Sequence, residues 1–275
     1  METITLDTPR GRFAARSAGQ PSAPAVLLLH GFPDDATTFD SLGQGLADAG
    51  YRALSPYLRG YAPSPLVGSL KLDNLASDLV AIADHVSPRQ PVCLVGHDYG
   101  AQIGYVALAQ AAARFKAVVA LAGAHPAIIN RNIRRHPRQW WMSRYIVLFQ
   151  FGRIADRWFA ANDFAQVDRL WQRWSPGFRA DPQHIDHVKR TLAASMPAPV
   201  AMYREGGFDV PARTVDASLL YIAGSRDGCL LPALVAGQAG LFRDYEESLW
   251  PDVGHFPHLE RPAETLKATL DWFKR

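Results

Sequence analysis

Ten residues, Pro91-Val-Cys-Leu-Val-Gly-His-Asp-Tyr-Gly100, restrict the fold of this chain more than any others. A short apolar run leads into a turn with glycines two places either side of Asp98, and a helical pattern follows. Strand, sharp turn and helix in that order describe a nucleophile elbow. The turn forces its central residue into a strained conformation and pushes that side chain out above a sheet, and the glycines leave room for neighbouring backbone. The central residue here is an aspartate rather than a serine or cysteine. A carboxylate so presented attacks carbon to form an alkyl ester, which points to electrophilic carbons bearing a leaving oxygen or halide. The plainer reading makes Asp98 a helix N-cap; the motifs that accompany it elsewhere in the chain weigh against that.

The rest of the chain supplies a sheet for the elbow to stand on. Glu2-Thr-Ile-Thr-Leu6, a turn at Thr8-Pro-Arg-Gly11 and Arg12-Phe-Ala-Ala-Arg16 read as an opening hairpin. Ala25-Val-Leu-Leu-Leu29 is continuously apolar and too short for a helix, as expected of a strand buried on both faces. A helical stretch near 39–49, a strand at Arg52-Ala-Leu-Ser55 and a helix over Leu72–Val86 with Leu72, Leu75, Leu79 and Ile82 on one face come next. After the elbow, a helix near 101–114 and the strand Ala117-Val-Val-Ala-Leu-Ala122 continue the alternation. Between about 126 and 211 no strand is apparent, and the chain becomes rich in Trp, Arg and helical spacing. Strands resume at Leu219-Leu-Tyr-Ile-Ala223 and Tyr245-Glu-Glu-Ser-Leu-Trp250, and an amphipathic helix near 263–274 closes the chain. Alternating strands and helices predict an α/β fold with a mostly parallel sheet. The expected organisation is a core of residues 1–125 and 212–275 interrupted by a helical cap over 126–211.

With 275 residues, 48% of them apolar, one core of good size can be buried. The formal charge of +3 gives no sign of a nucleic-acid-binding tail. The 126–211 segment holds thirteen Lys/Arg against seven Asp/Glu, leaving the remainder near −3, and an Arg-rich solvated helical surface is the simplest account. Cys93 and Cys229 are far apart and show no metal or disulfide spacing. Cys93, inside an apolar strand, behaves as a small hydrophobe. The N-terminal residues lack a signal-peptide pattern and no apolar run reaches spanning length, so a soluble cytoplasmic protein without membrane insertion is expected.

Open parallel sheets carry their sites at the carboxyl ends of the strands. His30-Gly-Phe-Pro33, Asp98, Gly224-Ser-Arg-Asp227 and Gly254-His255 all fall there. Asp227 is favoured over Asp252 as a histidine partner because it follows a strand, although it could also be a turn residue. His184 and His187 follow Asp181-Pro182 and read as a capped helix start rather than metal ligands.

The order nucleophile, acid, histidine resembles the α/β-hydrolase superfamily over essentially the whole chain. The Gly-His-Asp-aromatic-Gly elbow most resembles its epoxide hydrolase branch. That resemblance implies an α/β-hydrolase fold with Asp98 as nucleophile, His255 as the base that activates water, and Asp227 as the carboxylate orienting His255. It also implies an oxyanion hole from the backbone N–H groups of Phe32 and Tyr99, a cis peptide before Pro33, and scaffold roles for His30 and His97. Arg144-Tyr145-Ile-Val-Leu-Phe-Gln150 and Val200-Ala-Met-Tyr203-Arg204 resemble the two cap motifs whose tyrosines assist the leaving oxygen, which gives that role to Tyr145 and Tyr203. The implied reaction converts an apolar alkyl or aryl epoxide and water to a vicinal diol with neither metal nor organic cofactor. The alternative is a haloalkane or haloacid dehalogenase using the same aspartate; a catalytically silent ligand-binding protein is the more distant one. Haloalkane dehalogenases place Trp after the nucleophile and haloacetate dehalogenases place arginines there, whereas this chain has Tyr99 and then Gly100-Ala-Gln-Ile-Gly104. A departure from the family occurs at Tyr57-Leu-Arg-Gly-Tyr-Ala-Pro-Ser64, where an Asp and a Gly common in relatives are missing, and altered loop packing is expected. Five of seven tryptophans lie in the 126–211 segment and favour an apolar pocket, with Phe32, Trp141 and Phe149 expected in its wall. The arginines of 131–138 are alternative contacts for an acidic substituent, and a homodimer stays open.

Overall fold

The computed structural model describes residues 1–206 and 209–275. Eight strands form one sheet: β1 (Glu2–Thr8), β2 (Gly11–Ala18), β3 (Ala25–Leu29), β4 (Arg52–Pro56), β5 (Val92–His97), β6 (Phe115–Leu121), β7 (Val215–Gly224) and β8 (Phe242–Trp250). Their spatial order is β1-β2-β4-β3-β5-β6-β7-β8. The β1–β2 and β2–β4 pairs are antiparallel and all pairs from β4 through β3 to β8 are parallel. The central strands β3 and β5 are buried at every residue, which is why they read as unbroken apolar runs rather than alternating ones.

Side chains on successive strand residues point to opposite faces, so one strand feeds two cores. Val26 and Leu28 of β3 join Cys93 and Val95 of β5 on the face covered by α1 (Asp40–Asp48) and α11 (Pro262–Phe273). Leu27 and Leu29 join Leu94 on the opposite face, covered by α2 (Leu72–Val86) and α3 (Tyr99–Ala111). The apolar stripe Leu72, Leu75, Leu79 and Ile82 is the buried side of α2. Arg59, in the loop that departs from the family pattern, is buried and pairs with Asp78 of α2 at 2.7 Å.

Between β6 and β7 the described residues form no strand and run mostly through helices: α4 (Pro126–Asn132), α5 (Pro137–Met142), α6 (Arg144–Phe149), α7 (Arg153–Trp174), α8 (Pro182–Ser195) and α9 (Ala198–Glu205). A short α10 (Pro257–Glu260) precedes α11. The α7 helix is broken at 161–164, where Asn162, Asp163 and Phe164 have φ of 54°, 53° and 55°. Asn and Asp tolerate the left-handed region, and the break turns Phe164 into contact with Phe159, ring centroids 5.8 Å apart. The α8 helix is capped by Asp181, whose side chain accepts from the Gln183 N–H at 2.9 Å. The helical segment is tied to the sheet loops: Trp171 Nε1 donates to the Pro33 carbonyl at 2.9 Å, and Thr191 Oγ1 to Asp35 Oδ2 at 2.6 Å.

The elbow is tightly packed against backbone. Asp98 adopts φ 49° and ψ −117° between β5 and α3, and its side chain makes no capping bond to that helix. A Cβ on Gly100 would lie 2.2 Å from the Leu29 carbonyl oxygen, and one on Gly96 would lie 2.7 Å from the Ala101 Cα. Both obstacles are backbone and cannot rotate away. Gly100→Ala is therefore expected to destabilise the fold by about 3 kcal/mol and to lower Tm by roughly 5–10 °C in thermal unfolding. An unchanged Tm would mean that α3 is free to shift away from β3.

Candidate active site

Each polar motif at a strand end delivers one functional group to a common point. The elbow lifts Asp98 above the carboxyl end of β5. The loop after β7 carries Asp227 and the loop after β8 carries His255. His255 Nδ1 lies 2.9 Å from Asp227 Oδ2, so its proton belongs on Nδ1 and its Nε2 is turned toward Asp98 Oδ1, 3.6 Å away. The other Asp98 oxygen, Oδ2, accepts the Phe32 N–H at 3.1 Å. Tyr99, whose N–H is the second expected oxyanion donor, opens α3 directly after Asp98. The Phe32–Pro33 peptide is cis, as the resemblance implies. Asp252 is not the histidine's partner: it is exposed and faces Arg226 at 3.7 Å.

The supporting contacts fix these groups in place. The Cys229 and Leu230 N–H groups donate to Asp227 Oδ1 at 2.6 and 2.9 Å, leaving Oδ2 for the imidazole. The His255 N–H donates to Ser175 Oγ at 2.8 Å, and Ser175 Oγ in turn donates to Glu260 at 2.7 Å. Glu260 also accepts the Gly254 N–H at 2.8 Å, so one carboxylate of α10 pins the histidine loop on both sides. His97 Nε2 lies 2.9 Å from the His255 carbonyl and must donate to it. His30 accepts the Leu58 N–H at Nε2 and donates from Nδ1 to Gly31 O, at 3.2 and 2.9 Å. Both histidines brace loops.

Electrostatics separates the charged pair from the neutral donors. Burial opposes charge on His255, yet the Asp227 and Asp98 carboxylates outweigh it and raise its pKa well above the ordinary imidazole value. Burial likewise opposes charge on Asp98, but the hydrogen bond and charge of His255 bring its pKa below the usual carboxylate value. In the free protein the two form an ion pair. Tyr145 and Tyr203 are both buried, and burial raises their pKa values well above 10.0, so both hydroxyls remain protonated donors. Their rings meet edge to face with centroids 5.8 Å apart.

Asp98, Tyr145 and Tyr203 share a cavity of about 250 Å³. Asp98, Tyr145, Tyr203, Gln102, Cys229 and Trp140 belong to its lining. Phe32 and Phe149 are not in that wall. Fully buried, they stand behind Tyr203, with ring centroids 5.2 and 5.3 Å from it. Trp141 is a correction to the sequence reading: it is 69% exposed and carries the Arg144 guanidinium over its ring at 4.3 Å. Its neighbour Trp140 lines the cavity instead, because consecutive helical residues differ by about 100° in direction.

The two tyrosine motifs lock onto each other. Gln150 Nε2 donates to the Tyr203 carbonyl at 3.1 Å, and Arg204 Nη1 donates to the Phe149 carbonyl at 3.0 Å. Arg204 also pairs with Asp156 at 2.9 Å. The residues flanking each tyrosine thus hold α6 and α9 together and set the distance between the two hydroxyls.

Cys229 is the site residue that sequence reading missed. It is buried and lines the cavity, with Sγ 3.8 Å from the Tyr145 hydroxyl. Its one signal in the sequence is its place two residues after Asp227. His184 and His187 do not gather ligands; they face Asp34 and Asp35 at 3.2 and 3.5 Å. Among the described residues, two groups have metal-ligating atoms within 4.8 Å of one another: Asp34, His97 and His258, and Asp98, Cys229 and His255.

Residues 26–268 match the model of the alpha/beta hydrolase family. The chain belongs to that family. It is similar to Epoxide hydrolase A of Mycobacterium tuberculosis, 29% identical over 97% of this chain and 95% of the relative. It is also similar to Epoxide hydrolase 2 of Siraitia grosvenorii, 30% identical over 82% of this chain and 67% of that one. The epoxide hydrolase of Bacillus megaterium, solved in complex with an inhibitor, superposes with a TM-score of 0.86 at 19% identity, over all of both chains. That last likeness speaks for the shared fold. In the alpha/beta hydrolase framework the chain order Asp98, Asp227, His255 follows the strand order of the sheet. Among the described residues, no helix is long and apolar enough to cross a membrane.

Proposed function

We propose that this chain is an epoxide hydrolase that converts an apolar alkyl or aryl epoxide to a vicinal diol through an ester on Asp98. The observation that carries this reading is one cavity shared by a carboxylate and two protonated tyrosines. A halide needs only weak donors to leave, whereas an epoxide oxygen leaves as an alkoxide and needs a proton or a strong hydrogen bond. Similarity to relatives named epoxide hydrolase supports the same conclusion.

In the proposed mechanism the helical segment 126–211 acts as a cap that presents Tyr145 and Tyr203 to the substrate. Asp98 Oδ1 attacks one ring carbon and the carbon–oxygen bond opens toward the tyrosine hydroxyls, one of which transfers its proton to the alkoxide. Ester formation removes the Asp98 charge. His255 then loses one of its two anionic partners, its pKa falls, and its proton passes to the tyrosinate, which restores the tyrosine and leaves a neutral imidazole able to take a proton from water. Asp227 stabilises the resulting imidazolium. The hydroxide attacks the ester carbonyl carbon, and negative charge develops on Oδ2, the oxygen that already accepts the Phe32 N–H. Collapse of this intermediate expels the diol oxygen, which takes the proton of the newly formed Asp98 carboxyl group; the diol leaves and the carboxylate again faces the imidazolium.

Heavy-oxygen water tests the ester. In a single turnover with enzyme in excess, the new diol oxygen comes from Asp98, so the product carries no label and the label enters the Asp98 carboxylate. Under multiple turnover the diol becomes labelled. Labelled diol in the first turnover would mean direct attack of water on the epoxide and would end this reading.

A further inference from the structure

The Cys229 thiol is unused by the proposed mechanism, yet it lines the same cavity as Asp98, Tyr145 and Tyr203. Its Sγ, the His255 Nε2 and an Asp98 carboxylate oxygen lie within 4.8 Å of one another. His255 Nε2 is fully buried and turned toward this space, with Asp98 Oδ1 3.6 Å away. One soft sulfur, one imidazole nitrogen and one carboxylate oxygen make up a donor set suited to zinc-like ions rather than to magnesium.

We propose that Asp98, Cys229 and His255 form an inhibitory binding site for a thiophilic divalent cation of the zinc or cadmium class. Tetrahedral zinc with bonds of about 2.0–2.3 Å needs ligand atoms roughly 3.3–3.8 Å apart. The His255–Asp98 pair, at 3.6 Å, has that spacing already. The outer contacts match those of a built metal site. Asp227 Oδ2 accepts from His255 Nδ1, which fixes the tautomer with Nε2 free to ligate. Asp227 Oδ1 accepts the Cys229 N–H and sets the thiol's position. The Phe32 N–H holds Asp98 Oδ2 and leaves Oδ1 for the ion. A fourth position faces the cavity and takes a water. The cavity also gives a route in, because Trp140 and Val147 line it while being 59% and 61% exposed at the surface.

Binding exchanges protons for the ion. The thiol S–H bond breaks, sulfur becomes a thiolate bonded to the cation, and the thiol and imidazolium protons pass to solvent. The consequence for activity rests on the proposed Asp98 and His255 chemistry: the same two atoms cannot hold a cation and also attack carbon or deprotonate water. Inhibition then competes with epoxide and is reversed by a chelator.

The test measures binding and turnover separately. After equilibrium dialysis against zinc chloride, elemental mass spectrometry should find about one zinc retained per chain and no magnesium in a parallel sample. Cys229→Ser should weaken zinc binding by at least about tenfold. Zinc should also slow alkylation of Cys229 by iodoacetamide, mapped on peptides, with Cys93 in the core of β5 as an internal reference. Epoxide turnover of the wild-type enzyme should fall in proportion to occupancy and return with EDTA. No retained zinc would overturn the proposal, as would zinc retained equally by Cys229→Ser. Loss of that zinc in His258→Gln but not in Cys229→Ser would put the ion at Asp34, His97 and His258 instead. Zinc bound with undiminished turnover would also overturn it. Zinc binding as described, with no epoxide turnover by either protein, would support the cation site and sink the epoxide reading alone.

Discussion

His255→Gln is expected to lower steady-state epoxide turnover by about a thousandfold while leaving the first chemical step in place. The reason is the division of labour around the imidazole. Ring opening needs an ionised Asp98 and the tyrosine donors, whereas ester cleavage needs a base. Glutamine keeps a polar group of similar reach near Asp227 but cannot take a proton from water. The enzyme should therefore stall after one turnover, with an intact-mass increase equal to the epoxide and the adduct on the Asp98 peptide. The wild-type protein should show a milder form of the same behaviour on acidification. Its base must be neutral to act, so ester cleavage slows as the pH falls through the His255 pKa of the esterified enzyme. That pKa lies below its value in the free enzyme, where both Asp227 and Asp98 raise it. A His255→Gln protein that forms no adduct with any epoxide but releases halide from haloalkanes would make the chain a dehalogenase.

Replacing both tyrosines by phenylalanine should have a comparable effect on a different step. Tyr203→Phe alone should slow ring opening by about a hundredfold, and the double variant with Tyr145→Phe by more. The losses should not be additive, because each hydroxyl partly substitutes for the other on the same oxygen. Phenylalanine keeps the ring contacts of Tyr203 with Phe32 and Phe149, so folding should be little changed. With ring opening rate-limiting, no ester accumulates, in contrast to the histidine variant. A haloalkane offered to the same protein gives the discriminating comparison. If Tyr203→Phe impairs epoxide and halide chemistry equally, the tyrosine's role is packing and the cap has no part in leaving-group departure.

Much of the framework is legible in the sequence. The runs at Ala25 and Val92 are strands because central parallel strands are buried on both faces, and a helix so short could not bury its whole circumference. The stripe on Leu72–Val86 predicted the buried side of α2 for the same reason, namely that periodicity reports which side of an element water has left. Asp98, Asp227 and His255 each stand at or in the loop after the carboxyl end of a strand, and in a parallel sheet all such positions converge on one edge. Local order therefore carried information about a distant meeting point.

The pocket wall was not legible. Trp140 and Trp141 are adjacent and chemically identical, both exposed at the surface, and only the rotation of α5 against its neighbours puts one at the edge of the cavity and the other against Arg144. The break in α7 at 161–164 likewise depends on what Phe164 meets after the turn.

The sequence by itself determined the sheet, the elbow and the chemical identity of the group raised on it. Those follow from apolar spacing, from glycines beside an obligatory tight turn, and from the carboxylate itself. The folded arrangement sets what surrounds that carboxylate. It brought Cys229 within 4.8 Å of Asp98 and His255 and linked α6 to α9 through Gln150 and Arg204. It also set His255 between two acids, which raises its pKa. Each of these depends on distances of a few ångströms between segments far apart in the chain, and such distances exist only once the helices have closed over the sheet.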